Sequence, residues 1–120
     1  MMKLEYIEKI KIQKVDDKKI EIIQKLYTDH LPQLLKQIIS DCDKAIFFED
    51  GTRILSFREI VNAEKDLHVP FRKMCLIPVA DCGENDFIVF DFKNGNWAMF
   101  NIVDEISFME SDSFEELLNR

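Results

Sequence analysis

Glycine and proline are scarce, with three of each among 120 residues. That scarcity argues against an extended low-complexity segment. Cysteine is equally sparse. Cys42, Cys75 and Cys82 are odd in number and form no Cys-x-x-Cys pair, so free thiols in a reducing cytoplasm are expected. Long uncharged stretches are missing too. No run approaches the ~18–20 apolar residues that span a bilayer. Lys3, Glu5, Glu8 and Lys9 interrupt the place where a signal peptide's apolar region would lie. A cytoplasmic protein without a membrane partner is the expectation.

The patterns that carry catalysis are also lacking. There is no phosphate loop, no His-Glu-x-x-His pair and no Gly-x-Ser-x-Gly elbow. His30 and His68 fall near predicted helix boundaries, and His30 follows Asp29 in a capping context. Asp81, Glu84 and Asp86 surround Gly83 and have the oxygen ligands of a hard cation. They lack the alternating ligands and closing Glu of a calcium loop, so a solvated turn is expected. No enzyme activity, cofactor or metal is expected.

What is present suits one globular domain over residues 1–120: 47% hydrophobic and 32% charged residues, with net charge -7. The charge is one-sided. Residues 1–60 hold 11 Lys+Arg and 11 Asp+Glu, whereas residues 61–120 hold 5 and 12, a difference of -7. An acidic half repels phosphates, which excludes nucleic acid as an expected partner. It attracts a basic protein and speeds that encounter.

Hydrophobic spacing predicts the elements. Leu4, Tyr6, Ile10 and Ile12 are closer to period two than to 3.6, which predicts an N-terminal strand, with Ile7 as the exception and a helix as the alternative. Asp16 and Asp17 cap a helix carrying Ile20, Ile23, Leu26 and Tyr27 on one stripe. Asp29 and Pro32 open a second helix whose apolar face is Leu31, Leu34, Leu35, Ile38 and Ile39. Residues 45–55 read as a hairpin around Asp50-Gly51. Ser56-Phe57-Arg58-Glu59 and Ser113-Phe114-Glu115-Glu116 are capping boxes, each opening a helix. Between them lie three strands, at Met74–Ala80, Phe87–Phe92 and Trp97–Phe100, with Pro78 an awkward residue for a central strand. The pattern is α+β: an antiparallel sheet with helices packed mainly on one face. A free sheet edge, at the 45–55 hairpin or the N-terminal strand, offers a dimer contact, so monomer and homodimer both remain open.

Five ordered segments resemble the SUKH superfamily, which includes the Smi/Knr-type cell-wall-assembly regulators and many bacterial toxin-immunity proteins. Leu31-Pro32 with Leu34-Leu35-Lys36 is similar to the family's helix start. Arg53 to Ile60 resembles its strand-to-helix segment, Leu76-Ile77-Pro78-Val79-Ala80-Asp81 its central strand, and Asp86 to Asp91 the strand after it. Ser113-Phe114-Glu115-Glu116-Leu117-Leu118 resembles the closing helix. Together they cover about residues 17–119. Asp41-Cys42-Asp43-Lys44 departs from the family's usual Asn-Gly after the helix that Leu31-Pro32 opens.

The resemblance implies a SUKH-like fold and a non-enzymatic, protein-binding function. It implies an immunity protein neutralising a cognate bacterial polymorphic toxin, such as a nuclease or deaminase. The other function it implies is an intracellular adaptor of the Smi/Knr type in cell-wall or signalling control. Asp81, Glu84, Asp86 and Asp91 are the candidate contacts for a basic toxin. Trp97, beside the Asn94-Gly95 turn, is the candidate aromatic anchor.

Overall fold

A short α-helix, α1 (Lys3–Lys11), begins the chain where a strand is predicted. The computed structural model describes residues 1–120. Tyr6, Ile7 and Ile10 of α1 are buried, while Leu4 and Ile12 stand in solvent. The spacing i, i+1, i+4 is one helical face. Ile7, the residue that broke the period-two pattern, belonged to the core all along.

Helix α2 (Asp17–Leu26) follows, and the Asp16 carboxylate accepts from the backbone amides of Lys18 and Lys19. That satisfies two of the amides a helix start leaves free. Helix α3 (Gln33–Asp41) starts one residue beyond Pro32, with no side-chain cap. Asp29 therefore does not cap it, contrary to expectation. The buried Gln37 of α3 donates to the carbonyls of Lys11 and Gln13, fixing the α1–α2 connection against this helix.

Strands β1 (Ile46–Phe47) and β2 (Arg53–Ile54) form the expected hairpin. Gly51 has φ +90 in its turn, a conformation that favours glycine. Ser56 and Glu59 make the full capping box of α4 (Phe57–Val61). The helix breaks at Asn62 and resumes as α5 (Ala63–Leu67), ending at His68 in the left-handed region.

The rest is a meander of β3 (Leu76–Gly83), β4 (Asp86–Asp91), β5 (Asn96–Asn101) and β6 (Ile106–Ser111), closed by α6 (Phe114–Leu118). All six strands make one antiparallel sheet in the order β1-β2-β3-β4-β5-β6. The fold class is α+β. Pro78 sits inside the sheet, but β2 aligns only with Ala80 and Asp81, so Pro78 has one neighbouring strand, and the β3–β4 register slips beside it. At Ser113 only half a capping box forms. Its hydroxyl accepts from the Glu116 amide, but the Glu116 carboxylate turns to Ser111 and Arg120.

Phe87 to Phe90 and Trp97 to Phe100 are buried without alternation. Such runs mark strands covered on both faces. Phe90, Trp97 and the Phe114 ring of α6 pack edge-on and tilted against one another on one face, with centroids 5.1 and 4.9 Å apart. On the other, Phe71 meets Phe100 at 5.9 Å, and Ala63 and Leu67 of α5 line a small cavity with Phe87. Helices therefore lie against both faces of the sheet, and the packing mainly on one face expected above is not borne out.

A candidate docking surface at the acidic end of the sheet

In an antiparallel meander, every second turn falls at the same end. The β1–β2, β3–β4 and β5–β6 turns share one end here. The backbone N–H of Ile102 donates to the carbonyl of Asn85 at 3.0 Å, joining the last two directly. The Asn101 side-chain amide donates to Asp86 at 2.9 Å across the same strands.

This end collects Glu49, Asp50, Asp81, Glu84, Asp86, Asp104 and Glu105. All but Asp81 and Asp86 are exposed. Each turn is held by its own acid or amide. Asp50 accepts from the Thr52 amide, Asp81 from Gly83, and Asn101 from Val103 and Asp104. These short polar side chains favour such local bonds, which is why they sit in turns.

Two cations lie near this end, and both are engaged internally. Lys3 bonds Asp50 at 2.6 Å. That bond and the Thr52 amide hold the Asp50 carboxyl down at about 2. Arg53 donates from Nη1 to both carboxylate oxygens of Glu59 at 2.7 Å, and its Nη2 lies 3.6 Å from Asp81. Burial opposes ionisation of Glu59, but the Ser56 amide and Arg53 outweigh it and hold its carboxyl below the ordinary value. No Lys or Arg lies between Lys73 and Lys93, or between Lys93 and Arg120. Cys82, half-buried here, has its thiol pushed up to about 11 by burial and then by Asp81.

The structure therefore brings Asp81, Glu84 and Asp86 together and separates Asp91 and Trp97 from them. Asp91 lies at the far end of β4, about 17 Å away at ~3.4 Å per residue. There its carboxylate accepts from the amides of Lys93 and Asn94 and from the Asn94 side chain, closing the β4–β5 turn. Trp97 is 5% exposed between Phe90 and Phe114. A buried ring cannot anchor a partner, so Trp97 is a core residue. Asp81 serves the interior as well, through Arg53.

Spacing alone missed Glu49, Asp50, Asp104 and Glu105, because they join the site only through strand order. It also missed β6, whose Ile106 and Met109 are 59% and 40% exposed, while Val103 in the preceding turn is 68% exposed. Beside Glu49 and Asp50, an open groove of about 360 Å³ is floored by Met1, Met2, Leu4 and Phe48. Acidic turns next to exposed apolar side chains are the elements of a protein-docking surface.

No helix is long and apolar enough to cross a membrane. Comparison with protein-family models, curated proteins and solved structures returns no match.

Proposed function

We propose that the chain is a non-enzymatic, SUKH-type protein-binding domain that neutralises a cognate bacterial toxin in the cytoplasm. Its acidic sheet end would engage a basic face of that toxin. The observation that carries the reading is the convergence of three acidic turns on one end, with the neighbouring cations already paired inside the molecule. Four exposed carboxylates without an internal cation remain there: Glu49, Glu84, Asp104 and Glu105. Such a patch raises the encounter rate with a basic surface and disfavours acidic partners. A nuclease or deaminase toxin whose substrate is a polyanion offers a matching cationic face. The ordered SUKH-like segments supply the immunity assignment.

Co-expression with any toxin domain found encoded beside this gene tests the proposal. Cells making both proteins should survive, and the two should co-purify. Cell death at full expression of this chain would overturn it. A gene with no toxin neighbour would instead favour the Smi/Knr-type adaptor.

A further inference from the structure

The sheet has two edges of unequal length. β1, at one end of the strand order, has two residues, and β6, at the other, has six. β6 pairs only with β5, so its outer backbone row faces no neighbouring strand. Edge strands are commonly guarded by Lys, Pro or a bulge. β6 has neither Lys nor Pro. Its register break and the positive φ of Met109 fall in its second half, leaving Ile106 to Phe108 in regular register with Met99 to Asn101. Ile106 and Met109 are exposed on this strand, on opposite faces of the sheet, and Val103 is exposed in the turn before it.

We infer that β6 receives an extended basic segment of the partner as a seventh strand. The inference rests on the reading of the chain as a binder of a basic protein, and adds where and how the partner docks. Two occupants compete for such an edge. A second copy, pairing β6 antiparallel to β6, would bring Asp104 and Glu105 of one chain towards Glu110 and Asp112 of the other. Like charges facing each other across strands destabilise the pair. No Lys or Arg between Lys93 and Arg120 relieves them. A foreign segment alternating Lys or Arg with apolar residues reverses both signs. Its cations reach the acidic residues flanking the strand, its apolar side chains pack beside Ile106 on one face of the sheet, and its backbone completes the ladder.

The test uses the full chain and three synthetic peptides about as long as β6: alternating Lys-Val, Glu-Val and Lys-Pro. Lys-Pro keeps the charge but loses half its backbone donors. Lys-Val should bind and slow amide exchange within residues 106–111. Lys-Pro should bind about tenfold more weakly, and Glu-Val should not bind. An Ile106→Lys, Met109→Lys double variant should also lose about tenfold in Lys-Val affinity. Equal binding of Lys-Val and Lys-Pro, with no protection on β6, would overturn the strand-addition inference and leave the acidic-end reading standing. No binding of either cationic peptide would remove support from both. A dimer dissociated by the Ile106→Lys, Met109→Lys pair would make the occupant a second copy and overturn the inference.

Discussion

The Ile102 amide hydrogen-bonds the Asn85 carbonyl at 3.0 Å, so residues 17 apart in sequence hold two acidic turns as one surface. Neither residue is charged, yet their bond joins the turn that carries Glu84 to the turn that carries Asp104 and Glu105. The surface depends on strand order more than on local sequence.

The carboxylates at this end differ in what else they do. Glu84→Lys and Asp104→Lys should change stability by no more than about 0.5 kcal/mol, because both residues are exposed and neither side chain has a partner. Asp81→Lys should destabilise more, by repelling Arg53 and removing the acceptor of the Gly83 amide. Denaturant melts of the three variants check this. Equal melts would mean that the Arg53–Asp81 contact contributes nothing.

Trp97→Ala should cost roughly 3–5 kcal/mol, the range for deleting a large buried aromatic. Phe90 and Phe114 would lose their shared neighbour. Native fluorescence should be blue-shifted and weakly quenched by iodide. Strong quenching would return Trp97 to the surface.

Glu59 links acid stability to the α4 cap. Its folded pKa is lowered, so its contribution is present above the ordinary glutamate value, about 4.3, and is lost as pH falls towards the lowered one. Glu59→Gln should therefore flatten the loss of stability below about pH 4.3. Ser56→Ala should cost about 1 kcal/mol by removing the cap. Unfolding curves from neutral pH down to pH ~3 read both effects.

Cys42 is wholly buried, and its thiol is pushed up to about 12, first by burial. The raised folded pKa favours the protonated thiol, so this contribution is complete below the unfolded value, about 8.5. It is lost as pH rises through that value towards 12. A maleimide at neutral pH should label Cys42 only after denaturation. Prompt native labelling would show that α3 opens.

Local chemistry was easy to read. Asp16, Ser56 and the Asp50-Gly51 turn act within four residues of themselves, and their spacing carries their roles. The continuous apolar runs of β4 and β5 also held the sign of double burial. Two elements were not legible. α1 is a short helix with two misleading exposed residues, Leu4 and Ile12. β6 is an edge with no inward–outward alternation, because a bulge interrupts it and one side lacks a neighbour. The site was half legible for the same reason. Asp81, Glu84 and Asp86 adjoin in sequence, while Glu49 and Asp104 reach them only through the meander.

The central claim is that the acidic sheet end holds a basic partner. Its most direct test is the affinity of a basic partner protein, the proposed toxin domain, measured against salt for the natural chain and for a Glu49→Lys, Glu84→Lys, Asp104→Lys variant. The account predicts that affinity falls steeply with salt for the natural chain, and that the variant binds at least about tenfold more weakly with a much flatter slope. Equal affinity and equal salt dependence in a variant that melts normally would contradict it.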